Sequence, residues 1–416
     1  MCRVLLSATN NRALSSDDDH ITINDFIRIP FFTYSLSGMK LFEWEGKHKN
    51  SRWNIIYISL MLVNGLACVG AMICFVVFKQ YNDVVQITEM SSYFWFGINS
   101  VLKMASIWLR RHSLRKVLIE MNRRTFPRNA ADRKAWNLRE CYSLSNRHMW
   151  NLFMSHHTVM VILWIAPIVK STIDYYGTSG KFSYQLPYLA TYPFDVEQQP
   201  LRYVFLFFSQ MMAGMGSMSF FVGSDSLLVC TVHLLNMHFI YLNRCIDDLK
   251  PHGNESDVKK LADLLEFHNI VLDFSERINS IFSISILMNY VISVVKICMI
   301  GFQVVAGSSS INLIGFILFL LISLYSNFLI CSVGTKLLTL SADVANTLSR
   351  HPWYHANLKY QRMLPLAIAR AQRPAHLTAY KFFIISMESF KTMMTTSYQF
   401  LTLLKTRYDE SVNSDI

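Results

Sequence analysis

Charged side chains inside apolar segments are the first candidates for chemistry in this sequence. Lys103, Asp225 and Lys296 each lie in an apolar stretch, and Glu388 and Lys391 interrupt another. A charge inside a membrane span is costly, so such residues usually face protein or water and mark functional sites. Lys103 lies near the end of its segment, and we expect its side chain to reach the interface. Asp225 is expected at or below the inner membrane–water interface. For Asp225 and Lys296 we favour a structural ion pair over a transport role.

The histidines and cysteines do not form a recognisable catalytic or metal-binding pattern. The adjacent residues His156 and His157 have no Cys or carboxylate at ligand spacing, and neighbouring positions of a helix point in different directions. Most of the cysteines lie in apolar runs without a CxxC motif, so we expect packed thiols and no disulfides. There is no Ser-His-Asp set and no phosphate-binding loop. The sequence therefore predicts neither an enzyme nor a bound metal or cofactor.

The composition places these residues in a membrane protein. Of 416 residues, 52% are hydrophobic and only 16% are charged, compared with roughly 25% charged residues in soluble domains. The net charge of +11 is concentrated in particular loops, which is typical of membrane topology rather than of nucleic-acid binding. We therefore predict a polytopic helical protein whose surroundings are membrane lipid, with no nucleic-acid partner.

Seven segments are apolar enough and long enough to cross a bilayer, which takes about 20 residues of helix. Glu89 and Lys103 weaken the second segment, and Glu388 to Lys391 interrupt the seventh. The loops show no strand-like alternation. The predicted fold class is therefore all-α, with seven transmembrane helices. The segments are 54–78, 84–109, 149–169, 201–221, 281–306, 311–333 and 377–404.

Basic residues set the predicted orientation. Lys and Arg are dense between Arg110 and Arg139, and the loops after the fourth and sixth segments are basic as well. The loop between the fifth and sixth segments carries no charge. By the positive-inside rule the even-numbered loops are cytoplasmic. The N-terminus is then cytoplasmic, and the short C-terminal tail is extracellular.

This orientation argues against a G-protein-coupled receptor, whose N-terminus lies outside. The loop 170–200 has no cysteine, no Asp-Arg-Tyr follows the third segment, and no Asn-Pro-x-x-Tyr occurs in the seventh. A transporter with repeated halves is disfavoured because the chain shows no internal repeat.

The predicted cytoplasmic part is large. The apolar pattern of the fourth segment continues to Leu242, and residues 258–281 have helical apolar spacing. These stretches could form a helical bundle beneath the membrane, or an amphipathic helix could lie against the bilayer. The sequon at Asn254 falls on this side, so it should carry no glycan.

The C-terminal third contains the most specific motifs. These are Trp353-Tyr354, RAQRP at 370–374, KFF at 381–383 and SYQFLTLL at 397–404. In this order and spacing the series resembles the C-terminal signature of insect odorant receptors. QLPY at 185–188 also looks familial.

The chain departs from that signature at two positions. Many family members have Gly where this chain has Tyr380, and Tyr where it has Phe400. Neither change threatens the resemblance, although Phe400 lies in the helix that the resemblance assigns to the pore.

What the resemblance implies is a ligand-gated, non-selective cation channel. In that family, subunits form tetramers around one pore, and a shared odorant receptor co-receptor (Orco) supplies the partner subunits. This chain would be an odorant-tuning subunit that detects small volatile organic molecules in the plasma membrane of olfactory sensory neuron dendrites. A gustatory receptor channel is the main alternative, and a G-protein-coupled receptor is a more distant one.

The predicted pore helix follows the interruption of the seventh segment, at 392–404. Thr396, Gln399 and Leu403 share one helical face, and a polar face that leads to one Leu suits a pore closed by dewetting at a hydrophobic constriction. Matched to the family's last helix, Leu403 takes the gate position. Alternatively, Leu403 packs against a neighbouring helix and Gln399 makes an interhelical hydrogen bond.

The resemblance implies an odorant pocket in the outer half of the bundle, within helices two to six. Aromatic and Met side chains make an adaptable apolar cavity there, although in most membrane helices they only pack. The candidate ligand-binding residues are Tyr93, Phe96, Met160, Trp164, Phe208, Met212, Phe302 and Phe316.

Four regions follow from these assignments. Residues 1–53 are a cytoplasmic segment, 54–335 hold helices one to six with the pocket, 336–391 form the cytoplasmic loop and anchor, and 392–416 form the pore helix and tail. The candidate anchor and subunit-contact residues are Trp353, Tyr354, Arg370, Phe382 and Phe383.

Overall fold

A bundle of long helices makes up the chain. The computed structural model describes residues 21–42, 52–78, 84–179, 184–192, 199–306 and 310–414. Its elements are α1 (Ile23–Leu36), α2 (Arg52–Phe78), α3 (Val84–Arg124), α4 (Ala130–Ala135), α5 (Leu138–Asp174), α6 (Pro200–Asp247), α7 (Glu255–Ala306), α8 (Ser310–Arg350), α9 (Leu358–Ala371), β1 (Thr378–Ala379), β2 (Phe383–Ile384) and α10 (Met387–Ser414), with a π-helical turn at Tyr175–Ser179 and a 3-10 turn at Trp353–His355.

Five helices of the described part are long and apolar enough to cross a membrane, namely α2, α5, α6, α7 and α8. They correspond to the first and third to sixth predicted segments. The second and seventh segments form α3 and α10, which carry more charge but pack in the same bundle, both against α7. The predicted helical class is confirmed, and the orientation stays a prediction.

The helix α6 forms the centre of the bundle. Every residue from Met218 to Phe239 is buried. Two of its hydroxyls bond to its own backbone: Ser224 Oγ donates to Phe220 O over 2.7 Å, and Thr231 Oγ1 donates to Leu227 O over 3.0 Å. The helix α1 begins with a capping box between Thr22 and Asp25 and packs against α6, where the hydroxyls of Tyr34 and Ser224 lie 2.7 Å apart.

Among the described residues, five helices extend well beyond a membrane span, including α3 with 41 residues and α5 with 37. The 48 residues of α6 make a helix about 72 Å long, compared with a hydrocarbon thickness of about 30 Å. The helices α7 and α8 are similarly long, with 52 and 41 residues. The predicted continuation of the fourth segment and the helix expected at 258–281 are therefore both present, and they form a bundle together with α9.

The start of the seventh segment is not helical, which corrects the prediction for 377–386. Thr378 pairs with Ile384 and Ala379 with Phe383 in a short antiparallel hairpin. Its loop places Tyr380 at φ 48 and Lys381 at φ 67, the left-handed region that favours glycine. This explains why Gly is a natural residue at position 380. Glu388 then lies in the first turn of α10, where a carboxylate stabilises a helix rather than breaking it.

Candidate functional site

A small apolar cavity lies among α2, α3, α5, α6 and α8, beneath the segment 184–192. It encloses about 60 Å³. Three of its lining side chains are the thioethers of Met72, Met160 and Met218, which repack readily around ligands of different shape. The other lining residues are Gly65, Cys68, Val69, Tyr93, Phe94, Phe96, Gly97, Val159, Leu163, Tyr188, Ala213, Gly214, Ser217 and Phe319.

Gln210 of α6 fixes the segment that carries Tyr188 over this cavity. Tyr188 N donates to Gln210 Oε1 over 2.9 Å, and Gln210 Nε2 donates to Tyr188 O over 3.1 Å. Gln210 Nε2 also donates to the Tyr192 hydroxyl over 3.1 Å. A buried amide with these partners holds an irregular segment in place inside a helical bundle.

The hydroxyl of Tyr188 is the main polar group at the cavity. It accepts a hydrogen bond of 3.2 Å from Trp164 Nε1 and directs its own proton to Met160 Sδ at 3.5 Å. A thioether is a weak acceptor. An oxygen atom of a ligand would therefore be a stronger acceptor for this proton than Met160 is.

A wider opening lies directly above the cavity. It measures about 490 Å³, and polar residues such as Gln86, Glu89 and Lys170 line it. Tyr93 and Tyr188 line both spaces, and their ring centroids are 5.1 Å apart. These two rings therefore separate an outer, polar vestibule from the inner, apolar cavity.

The predicted pocket residues fall into two groups. Tyr93, Phe96 and Met160 line the inner cavity. Trp164 contacts it through Tyr188, and Phe316 lines the vestibule.

The other three lie elsewhere. Phe208 is 60% exposed and Met212 is 40% exposed on the surface of α6. Phe302 is buried against Tyr408 of α10, with the ring centroids 5.4 Å apart. Gln210 and Gly214 were not predicted from the sequence, and Tyr188 entered only as part of the QLPY motif at 185–188.

A buried ion pair lies below the cavity, and it corrects the expectation that Lys103 reaches the interface. Lys103 is 1% exposed, and its Nζ lies 2.6 Å from Asp225 Oδ1. Ser326 Oγ donates to the other carboxylate oxygen over 3.1 Å. Lys296 is equally buried, and its Nζ lies 5.0 Å from the Phe221 ring that also faces Lys103. Asp225 thus pairs with Lys103, and within the described residues Lys296 forms no ion pair.

A ladder of amides connects the same region to α10. Asn99 Nδ2 donates to Asn289 Oδ1 over 3.2 Å, and Asn289 Nδ2 donates to Asn327 Oδ1 over 3.0 Å. The next residue, Tyr290, donates its hydroxyl proton to Ser389 O in the first turn of α10 over 3.3 Å. Polar contacts therefore run from α3 through α7 to the last helix.

The predicted pore residues lie on an open side of α10. Thr396 is half-buried and Gln399 is exposed, and Leu403 is 59% exposed. On the opposite side Met393 is buried against α7, and Leu401 approaches Gly301. The side of α10 that carries Gln399 and Leu403 is thus not covered by the described part of this chain, and the pore role stays a prediction.

The predicted anchor residues differ in exposure. Tyr354 and Phe382 are 64% and 75% exposed, and Trp353 is 39% exposed. Phe383 packs on Tyr290, with the ring centroids 4.4 Å apart. The part of the bundle far from the cavity thus presents aromatic rings at its surface.

Two ionic contacts accompany this region. Arg370 lies 3.9 Å from Glu276. Nearby, a hydrogen bond of 2.8 Å from Arg277 lowers the pKa of the Glu120 carboxyl, so that Glu120 remains ionised and able to join α3 to α7.

Comparison with known proteins decides the family. The sequence profile described as 7tm Odorant receptor matches residues 83–398. The chain belongs to this family. It is an odorant receptor, a multi-pass membrane protein, as the C-terminal motifs predicted. The family is one of receptors rather than enzymes, and the alternatives of a gustatory receptor or a G-protein-coupled receptor are set aside.

The sequences of individual odorant receptors align with this chain over nearly its whole length. Odorant receptor 85c of Drosophila melanogaster is 27% identical over 407 residues, which is 92% of this chain and 99% of the relative. Odorant receptor 85f of the same species is 25% identical over 393 residues, covering 91% and 96%.

The fold is also that of a solved odorant receptor. The structure of the insect olfactory receptor OR5 from Machilis hrabei in complex with eugenol superposes with a TM-score of 0.73. The match covers 92% of this chain and 98% of that one, at 15% identity. At this identity the match shows the shared fold.

Proposed function

We propose that this odorant receptor is the ligand-tuning subunit of a ligand-gated cation channel formed with the odorant receptor co-receptor in the plasma membrane of olfactory sensory neuron dendrites. The inner cavity carries the proposal, because an enclosed apolar space with a few oriented polar groups is typical of small-molecule sites. Its ligand class is a small volatile molecule with one polar group. A related receptor of the same fold is described in complex with eugenol, which supports this class.

The size of the cavity sets a condition on binding. A space of about 60 Å³ has room for about four to six water molecules, so an odorant larger than that must displace side chains. Met160 and Met218 can do this at low cost because unbranched thioethers have several accessible rotamers. A ligand opens the channel only if the widened cavity is favoured in the open state.

The exposed surfaces support assembly with partner subunits. Contiguous exposed apolar patches often mark interaction sites. Phe382 lies beside the exposed Tyr380, and Tyr354 lies beside the exposed Trp353, with ring centroids 6.4 Å and 6.2 Å apart. Leu403 and Gln399 are also uncovered on α10. In a tetramer the aromatic surface would contact neighbouring subunits, and the uncovered side of α10 would line the shared pore.

The direct test measures current in cells that express this chain with and without the co-receptor. Esters, ketones and alcohols are applied while G-protein signalling is blocked. We expect a fast cation current that requires both chains. A response that persists with this chain alone would remove the co-receptor from the proposal, and a current lost when G proteins are blocked would contradict the channel mechanism.

The Tyr188 hydroxyl gives a sharper prediction about recognition. Tyr188→Phe removes the proton donor and keeps the ring, and one neutral hydrogen bond contributes about 1 kcal/mol. We expect sensitivity to oxygen-containing odorants to fall about fivefold, with little change for hydrocarbons of the same shape. Dose–response curves measure this, and Tyr176→Phe is the matched control because that side chain is 82% exposed and lines neither the cavity nor the vestibule. Equal losses for both ligand classes would show that Tyr188 acts by packing alone.

A further inference from the structure

A second apolar space lies on the outer surface of the bundle, between α2 and α3. This groove measures about 430 Å³. It shares no lining residue with the inner cavity or the vestibule. The lining residues are Met39, Ile55, Ile58, Ser59, Leu62, Met104, Ala105, Trp108, Leu109 and Phe220.

The groove faces the surroundings of the bundle. Leu109 is 80% exposed and Ile55 is 51% exposed. Both belong to the apolar runs that were predicted to span the membrane, so hydrocarbon chains surround them. From Ile55 to Leu62 the α2 wall is about 10 Å long. This length fits the part of a lipid acyl chain that lies nearest the headgroup.

Cationic side chains gather at one end of this groove. The helices α2 and α3 both line it, and its residues Ile55 and Leu109 lie at the ends of their segments that the positive-inside rule places on the cytoplasmic side. Arg52 lies one turn before Ile55, and Arg110 and Arg111 directly follow Leu109. The apolar groove therefore ends at a basic rim.

Arg111 is held in place beside the groove. Its Nη1 donates to Trp108 O over 2.9 Å, and its guanidinium carbon lies 3.9 Å from the centre of the Trp108 ring. Trp108 itself lines the groove. A guanidinium fixed in this way loses little side-chain entropy when it binds a phosphate, which it can contact through two N–H groups.

We propose that the groove binds one anionic glycerophospholipid, with an acyl chain between α2 and α3 and the headgroup against Arg110 and Arg111. The apolar walls select a hydrocarbon chain, and the basic rim selects a net negative headgroup over a zwitterionic one. Under the positive-inside rule this is a lipid of the cytoplasmic leaflet. The inference does not depend on which odorant opens the channel.

The position of the groove gives the lipid an effect on the receptor. Met104 and Phe220 line the groove. Met104 directly follows Lys103, and Phe220 directly precedes Phe221, the ring that faces the Lys103 ammonium. The helix α2 is also weakly covered by the rest of the chain, with Leu66 71% exposed. A bound lipid therefore adds contacts that hold α2 against α3, and it should stabilise the folded receptor.

The test uses the purified full chain, freed of lipid in detergent and then mixed with dioleoyl phosphatidylserine or dioleoyl phosphatidylcholine. Native mass spectrometry counts the lipids that stay bound, and thermal unfolding measures stabilisation. We expect one phosphatidylserine to be retained at least about fivefold more than phosphatidylcholine, since one basic residue contributes about that factor.

Two kinds of variant separate the acyl and headgroup contacts. Ala105→Trp, or Ser59→Trp from the opposite wall, fills the groove and should abolish retention. Arg110→Gln with Arg111→Gln keeps the groove and should make the two lipids equal. Leu321→Trp on an exposed face of α8 and Arg123→Gln are the matched controls. The proposal is wrong if both Trp variants retain as much lipid as the original chain. It is also wrong if the original chain retains the two lipids equally.

Discussion

Replacing Asp225 with Asn is expected to remove most of the folded receptor from the cell surface. The change leaves the Lys103 ammonium buried without its anion, and a second buried ammonium, Lys296, faces the same Phe221 ring. Removing one partner of a buried pair costs about 3–5 kcal/mol. Because natural proteins are stable by only about 5–15 kcal/mol, this loss is large. Surface labelling and thermal unfolding of the detergent-extracted receptor measure it.

Three controls show whether charge is the cause. Lys103→Met with Asp225→Leu removes both charges and should recover most of the surface protein, because apolar residues often replace a buried pair without loss. Lys296→Met should be neutral or stabilising, since it removes a charge that has no ion-pair partner among the described residues. Ser326→Ala removes only one hydrogen bond to Asp225 and should have a small effect. An Asp225→Asn receptor as stable as the original would contradict the argument.

The ion pair and the amide ladder together form a polar layer under the cavity. A small space of about 20 Å³ between them is lined by Lys103, Asp225, Asn289 and Asn327, which is room for about one water molecule. Met393 of α10 lines the same space. Side chains that move at the cavity are therefore one layer away from the last helix. This arrangement supports the coupling of ligand binding to the pore through α7 and α8.

The main elements could be predicted from the sequence because they depend on local hydrophobicity. Runs of about 20 apolar residues form helices wherever the backbone must satisfy its own hydrogen bonds. The Lys103–Asp225 pair could not be predicted in this way. The two residues are 122 positions apart, and only the packing of α3 against α6 brings them together. Considered alone, the position of Lys103 near the end of its segment gave a reasonable but wrong expectation, namely that its side chain reaches the interface.

The hairpin at 378–384 shows a second limit. Leu377, Phe382 and Phe383 have the composition of a membrane helix, so the segment was assigned to one. Consecutive left-handed residues at Tyr380 and Lys381 reverse the chain instead, and neither residue type signals such a turn. The Gly that many family members carry at position 380 was the available signal.

For the cavity, the types of the lining residues could be predicted from the sequence, but the directions in which the side chains point could not. Of the eight aromatic and Met candidates, Tyr93, Phe96 and Met160 line the cavity, and their part in binding stays a prediction. Helix α6 carries such residues on several faces, however, and nothing local distinguishes Phe208, which is exposed, from Met218, which lines the cavity. The small residues gave no signal, although Gly214 allows the closest approach of the cavity walls.

Gly214→Ala is expected to raise the odorant concentration for half-maximal current by about tenfold to a hundredfold. A methyl group there would lie 2.5 Å from the Tyr188 hydroxyl and 3.0 Å from Met160 Cε. Tyr188 must then move, which breaks its bond to Trp164 and fills part of a small cavity. Local helix stability cannot account for the loss, because Ala is a better helix former than Gly by about 1 kcal/mol.

Two other glycines of the bundle provide the comparison that isolates this cause. Gly97 lines the same cavity but has open space around its Cβ position, and Gly70 is exposed away from the cavity and also has open space. Gly97→Ala should give a smaller shift, which grows with the size of the odorant, because it only reduces volume. Gly70→Ala should leave the response unchanged. If Gly214→Ala responds like Gly70→Ala while surface expression is equal, the inner cavity is not where the odorant binds, and the outer vestibule becomes the site to test.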